Sequence, residues 1–286
     1  MRLLSIGLAI GLFYAPQCFA EELTGTLKTV SERGSIVIGY REAQPPMAFK
    51  DRSGAPVGYS IDLCVRIATA VKQKIGRTDI ATEFVAVTAD NRFDAVQSGS
   101  IDILCGATTK TLGRSERVDF TQLTFVTGAG LLSRDGDHVE NFLGLAGRKV
   151  AVTESTTTID VLQQTLKQRL VDAEVVSVAS AEEGMAMLDA GTVDAFSADQ
   201  VVLIGLVLSR PSEKKYFLSG ELYSFEPFAL AVRRNDADFR LVADRALATL
   251  YRSKQIRAIY KKWFGRFAAK VPNLLKAVYK IGATPE

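Results

Sequence analysis

The order of strands and helices places the strongest constraint on the fold, because the same order occurs twice along the chain. Each passage runs strand, helix, strand, helix, strand. Short apolar runs that alternate with one-faced helical periodicity are typical of a mostly parallel sheet covered by helices. The first passage has strands at 35–40, 82–87 and 101–105 and helices at 62–74 and 91–97. The second has strands at 149–152, 174–178 and 193–198 and helices at 158–170 and 181–188.

Two similar α/β units predict two lobes with a cleft between them, each lobe a mostly parallel sheet with flanking helices. In open parallel sheets, ligands bind beyond the carboxyl ends of the strands. The stretches 124–132 and 223–232 flank the second unit and have an extended, β-like pattern, so we expect them to be paired hinge strands. The helical tail that begins at Asp236 is expected to pack on the first lobe.

The N-terminus predicts a secretory signal peptide over residues 1–20. Arg2 precedes an apolar run at 3–14, and Cys18 and Ala20 are small residues before a cleavage site. The run is too short to cross a bilayer of ~30 Å, although an uncleaved N-terminal anchor remains an alternative. Cys18 lacks small residues before it and is not expected to carry a lipid. The mature protein is therefore expected to be exported.

Composition excludes several classes of protein. The chain is 47% hydrophobic and 23% charged, which is ordinary for a globular protein. Its net charge is +3 with both signs interspersed, so no basic stripe for nucleic acid is predicted. Three cysteines and one histidine are too few for a zinc cluster, and no phosphate loop or nucleophile elbow occurs. We expect no catalytic group, metal or cofactor. Cys64 and Cys105 are either bridged or two buried thiols.

Three arginines follow the predicted strand ends or open the helices beyond them. Arg41 follows the first strand, Arg92 opens a short helix and Arg114 follows a polar threonine-rich loop. Guanidinium groups make bidentate contacts to carboxylates, although a lone arginine on a loop is more often solvated or in a surface ion pair. Their shared position at one edge of the predicted sheets indicates an anion site.

The second unit contributes hydroxyl groups and one acid at the same edge. Thr156 and Thr157 stand where a helix begins, and free backbone N–H groups there favour an anion. Asp199 ends a strand and is suited to pair with an ammonium group. The threonines and Asp199 can also be simple helix caps. Together with the arginines, these residues predict a site for a small zwitterion with an additional negative charge.

Several motifs give the chain a resemblance to a known family. The segment 58–63 reads Gly-Tyr-Ser-Ile-Asp-Leu, which matches a family signature except that Ser60 replaces an acid. Further matching segments are 34–39, 99–102, 114–121 and 262–264. Over the whole mature chain the sequence resembles the periplasmic solute-binding proteins of polar amino-acid ABC importers, which have the two-lobed type II fold.

Within that family the sequence is most similar to the glutamate/aspartate-binding branch, on the segments 39–42, 90–92 and 105–109. Ala89 and Ala107 depart from the serines that the branch tends to carry, so another acidic or polar amino acid stays open.

The resemblance implies a role for each candidate residue. Arg114, Thr109 and the backbone at Ala107 would hold the α-carboxylate of the ligand. Arg41 and Arg92 would hold its side-chain carboxylate.

The second lobe would supply the remaining contacts. Asp199 would take the α-ammonium group, and Thr156 and Thr157 would close on the ligand. The resemblance also divides the chain into a first lobe, 21–126 with 227–286, and a second lobe, 127–226.

The implied function is capture of an amino acid, probably in its acidic form, by hinge closure in the periplasm, without any chemical reaction. The closed protein would deliver the ligand to ABC permease subunits in the inner membrane, and we expect a monomer. Two alternatives use the same scaffold. One is a cyclohexadienyl dehydratase-like enzyme with Glu154 as general acid, and the other is a sensory receptor.

Overall fold

The computed structural model describes residues 22–211, 215–268 and 270–286, so the predicted signal peptide lies outside the described residues. The strands are β1 (Ser35–Tyr40), β2 (Ala43–Gln44), β3 (Ala48–Lys50), β4 (Pro56–Val57), β5 (Ala81–Ala86), β6 (Ile103–Cys105), β7 (Asp119–Thr127), β8 (Ala129–Arg134), β9 (Lys149–Thr153), β10 (Glu174–Val178), β11 (Ala195–Asp199), β12 (Tyr216–Leu218) and β13 (Glu226–Val232).

Helices cover the faces of these strands. They are α1 (Gly25–Arg33), α2 (Tyr59–Ile75), α3 (Arg92–Ser98), α4 (Leu112–Ser115), α5 (Thr157–Arg169), α6 (Ala181–Ala190), α7 (Gln200–Leu208), α8 (Ala237–Arg252), α9 (Ile256–Phe264) and α10 (Asn273–Ile281), with a 3₁₀ turn at Phe142–Leu145. In the parts of the chain that the structure describes, no helix is both long and apolar enough to span a membrane.

Two five-stranded sheets form the framework and confirm the predicted fold class. The first has the order β5-β1-β6-β13-β7, in which β5, β1 and β6 are parallel and β13 runs antiparallel to both of its neighbours. The second has the order β10-β9-β11-β8-β12, with β10, β9 and β11 parallel and β8 and β12 antiparallel. We call the first sheet with its helices the first lobe and the second sheet with its helices the second lobe.

The chain crosses between the lobes at two adjacent places. β7 ends at Thr127 in the first sheet, and after Gly128 the chain enters β8 of the second sheet. It returns past Ser224 into β13, where Glu226 pairs with Thr127. A Cβ atom on Gly128 would lie 2.5 Å from the carbonyl oxygen of Ser224, so only glycine permits this close approach. The predicted lobe boundaries near 126 and 227 remain a prediction.

The acid of the family signature that is retained, Asp62, ties α2 to the tail. Its Oδ2 accepts a hydrogen bond of 2.7 Å from Nε1 of Trp263 and one of 2.8 Å from Nζ of Lys262. On the same helix, Cys64 forms a disulfide with Cys105 of β6, which settles the choice that the sequence left open. α2 is thereby fixed to both a central strand and the C-terminal helices.

Candidate functional site

The carboxyl ends of the parallel strands in the two lobes face each other, as the loop positions predict. A cavity of about 30 Å³ lies between them, with room for only about two water molecules. Its lining combines residues from both lobes: Arg41, Gln44, Thr153, Thr156, Thr158, Ala181, Ser197, Ala198, Asp199 and Val202. Larger cavities lie elsewhere on the first lobe, among residues of the terminal segments and their neighbours, and none of the candidate residues lines them.

The Arg92 guanidinium is buried at the start of α3. Its centre lies 4.5 Å from the ring centroid of Phe93, and its Nη2 donates a 2.9 Å hydrogen bond to the carbonyl oxygen of Ser155 in the second lobe. Its Nη1 is buried and has no hydrogen-bond partner among the described residues. Burial lowers the pKa of Arg92 to about 9, and the positive charges of Arg114 and Arg41 lower it further.

Arg41 follows β1 and is also buried. Burial lowers its pKa to about 10, which leaves the group charged at neutral pH. A buried cation without a counter-charge is costly, because the interior solvates it less well than water does. Arg41 and Arg92 therefore form a buried positive region in which an anion would be stabilised.

Arg114 lies on α4 and is held against the preceding loop. Its Nη1 donates a 2.8 Å hydrogen bond to the carbonyl oxygen of Thr109. Burial lowers the pKa of the Arg114 guanidinium, while the carboxylates of Glu226 and Asp199 oppose that shift. Arg114 therefore faces carboxylates already present in the protein.

Asp199 is the last residue of β11, opposite the arginines. Its Oδ1 is buried without a hydrogen-bond partner among the described residues, and the side chain does not cap α7. Burial raises the pKa of this carboxyl well above its usual range; the negative charge of Glu226 raises it further, and Arg114 lowers it. The capping alternative is thus not what the structure shows, and an acceptor remains unused.

The two threonines at the start of α5 have different partners. The hydroxyl of Thr156 donates a 2.6 Å hydrogen bond to the carbonyl oxygen of Thr153. The hydroxyl of Thr157 donates a 2.9 Å hydrogen bond to Oε2 of Glu226 and lies 3.4 Å from Oγ1 of Thr109. Neither side chain caps the helix, so its first N–H groups have no side-chain partner from the cap residue Thr156.

Ala107 follows β6 and is half-buried. Its backbone N–H donates a long hydrogen bond of 3.4 Å to Oε1 of Gln44, which also lines the cavity. Gln44 was not predicted from the sequence. Its place on the two-residue strand β2 depends on pairing with β3, and no local pattern indicates it.

Glu226 is the most important residue that the sequence interpretation missed. It is 1% exposed, and its carboxylate accepts hydrogen bonds from the hydroxyls of Thr109, Thr157 and Ser224. A charged residue at the start of the otherwise apolar strand 226–232 is the signal that was available. We interpreted that stretch only as a hinge strand.

The lobes touch at several points around these residues. Besides the bonds from Arg92 and Thr157, the hydroxyl of Ser155 lies 3.3 Å from Oδ1 of Asp90. Gly205 of α7 approaches β2 so closely that a Cβ atom there would lie 2.1 Å from the carbonyl oxygen of Pro45. All the predicted site residues are therefore brought to one interlobe region in a closed arrangement.

Comparisons with known proteins agree with this architecture. The sequence model of the bacterial extracellular solute-binding proteins, family 3, matches residues 36–266. An L-glutamate/L-aspartate-binding protein of Pseudomonas aeruginosa is 34% identical over 92% of this chain and 87% of the relative. A glutamate/aspartate import solute-binding protein of Salmonella typhimurium is 29% identical over 92% of this chain and 86% of the relative.

A solved structure shows the same fold. An ancestral arginine-binding protein bound to arginine is 29% identical and has a TM-score of 0.73, covering 82% of this chain and 99% of that chain. The resemblance predicted from the signature segments is confirmed by these matches. The chain belongs to the bacterial extracellular solute-binding proteins of family 3.

Proposed function

We propose that the protein captures an acidic amino acid, glutamate or aspartate, between its two lobes for import. One observation carries the proposal. A buried donor on Arg92 and a buried acceptor on Asp199 lack partners on opposite sides of one interlobe region. Buried polar groups in native proteins are nearly always satisfied, and a zwitterion with a second carboxylate satisfies both. The names of the two relatives support the same ligand.

The charge balance of the region favours an acidic ligand over a neutral one. Arg41, Arg92 and Arg114 supply three positive charges, and Asp199 and Glu226 supply two negative charges when ionised. A ligand of net charge −1 brings the buried set to neutrality, whereas glutamine leaves one charge uncompensated and arginine leaves two. Uncompensated charge in a low-dielectric site is costly.

Each candidate residue has a role in binding without bond making or breaking. Arg114 pairs with the α-carboxylate, Asp199 pairs with the α-ammonium group, and Arg41 and Arg92 hold the side-chain carboxylate. The unpaired N–H groups at the start of α5 add a favourable end for an anion. Closure of the lobes excludes water and strengthens each of these pairs.

Entry of the ligand requires the lobes to separate, because a cavity of about 30 Å³ cannot hold an amino acid. We further propose that the mature protein is a periplasmic monomer and that its closed form is recognised by ABC permease subunits. The sequence pattern of a signal peptide at 1–20 and the import function named for the Salmonella relative support this part of the proposal.

The dehydratase-like alternative is not favoured by the geometry. Its candidate general acid, Glu154, is exposed and does not line the cavity, and its backbone N–H pairs with the carbonyl oxygen of Val178. A catalytic acid in this fold would need a position in the cleft. A sensory role would use the same binding step and differs only in the membrane partner.

Calorimetry of protein freed of bound solute tests the proposal. Glutamate and glutamine differ by one charge at nearly equal size, so the pair isolates the charge argument. We expect glutamate or aspartate to bind at least tenfold more tightly than glutamine or arginine. Tighter binding of a neutral or basic amino acid, or turnover of prephenate or arogenate, would contradict it.

A further inference from the structure

We propose that Glu226 is a positioning residue that fastens the two lobes together in the closed protein through Thr157. The inference deepens the proposed binding function and rests on it for the effect on ligand affinity. Glu226 faces hydroxyl groups from both lobes, and it is the shared acceptor that joins them.

The carboxylate is held firmly in the first lobe. Glu226 begins β13 and pairs with Thr127 of β7. Its Oε1 accepts a 2.7 Å hydrogen bond from Ser224, and its Oε2 accepts one from Thr109, which itself bridges to Phe228 of β13. These contacts lie within the first lobe and the crossing segment, so they do not depend on closure.

The contact with Thr157 is of a different kind, because it joins the lobes. Thr157 is the first residue of α5 in the second lobe, and its hydroxyl reaches Oε2 of Glu226 at 2.9 Å. Rotation of the second lobe away from the first would break this bond. It therefore stabilises the closed form and contributes nothing to the open one.

This arrangement changes what the ligand can use. The hydroxyls of Thr109 and Thr157 are committed to Glu226, so the α-carboxylate of a ligand is left to Arg114 and to backbone N–H groups. Arg114 also offsets the negative charge that Glu226 places in the region. The threonine roles that the resemblance implies are thus replaced by a contact between the lobes.

The expected consequence is kinetic. A hydrogen bond to a charged group that exists only in the closed form raises the closed population about tenfold or more. The ligand leaves by opening, so loss of this bond should accelerate dissociation and leave association nearly unchanged. A residue needed only for folding would not separate the two rates.

The test uses Thr157→Val, Thr157→Ser and the matched control Thr165→Val. Valine at 157 removes the hydroxyl and serine restores it. Thr165 lies on the same helix, but its hydroxyl donates to the carbonyl oxygen of Val161 within that helix. Stopped-flow measurement of glutamate binding should show an off-rate at least tenfold faster for Thr157→Val. Thr157→Ser and Thr165→Val should stay within about twofold of the wild type.

An off-rate of Thr157→Val within twofold of the wild type would overturn the proposal. A failure of the proposed function would look different, since no acidic amino acid would then bind to the wild type. In that case small-angle X-ray scattering of ligand-free protein decides. A larger radius of gyration for Thr157→Val than for Thr165→Val supports the role of Glu226, and identical profiles overturn it.

Discussion

The two lobes contribute opposite chemistry to one site. The first lobe places three guanidinium groups, Arg41, Arg92 and Arg114, beside the cleft, and the charges of Arg41 and Arg114 help to lower the pKa of Arg92. The second lobe supplies the start of α5 and Asp199, whose carboxyl has a raised pKa because it is buried. Each lobe alone carries charge that is poorly solvated in the closed form. The comparison teaches that closure and neutralisation by a ligand belong to one event.

The largest expected effect comes from removing the central arginine of the first lobe. Arg114→Ala should weaken glutamate binding by about 3–5 kcal/mol, because it leaves a buried carboxylate unpaired. Calorimetry measures the change. Arg117→Ala is the matched control, since Arg117 is exposed and pairs with Asp94 at the surface. Equal losses in both variants would contradict the assignment of Arg114.

Reduction of the Cys64–Cys105 disulfide should be the next largest effect and should act on the first lobe. The cysteines are 41 residues apart, and closing a loop of that length stabilises a protein by about 4 kcal/mol in the chain-entropy model. Thermal unfolding with and without a reductant measures the change. Hydrogen exchange should rise in α2 and β6 before it rises in β9–β11. A uniform rise in both lobes would argue against a local effect.

Replacement of the acid in the second lobe should weaken binding and strengthen the fold. Asp199→Asn should cost about 2–3 kcal/mol of glutamate affinity, since the ammonium group loses a charged partner. The pKa of Asp199 is higher in the folded than in the unfolded state, so its ionisation destabilises the ligand-free protein as pH rises above the ordinary aspartate range. Asn should therefore raise the ligand-free melting temperature at pH 7. An unchanged melting temperature would count against a strained, buried Asp199.

The smallest effect should separate the two carboxylates of the ligand. Arg41→Gln should reduce the preference for glutamate over glutamine by about 1.5 kcal/mol, because one buried cation is lost. Affinity for glutamine should change much less, since that ligand has no second carboxylate. Competition between the two ligands measures the ratio. A parallel loss for both would place Arg41 outside the side-chain subsite.

Much of the fold follows from local patterns. The parallel strands and helices of both lobes have strong periodicity, and their predicted bounds agree with the structure within a few residues. The antiparallel strand β12 and the small sheet of β2, β3 and β4 were missed. These strands have two or three residues each and are defined by partners far away in the chain. Short pairings of this kind leave no periodic signal.

The sequence by itself determined which chemical groups stand at the strand ends: three arginines, a threonine-rich helix start and Asp199. Residue type and position after a strand are local properties, and they are enough to predict an anion-binding edge. Only the tertiary structure decided that Thr109 and Thr157 bond to Glu226 and that Arg92 and Asp199 keep unused polar atoms. Those facts depend on how two lobes approach each other, and hydrogen bonding across such an interface is set by distances that no sequence spacing encodes.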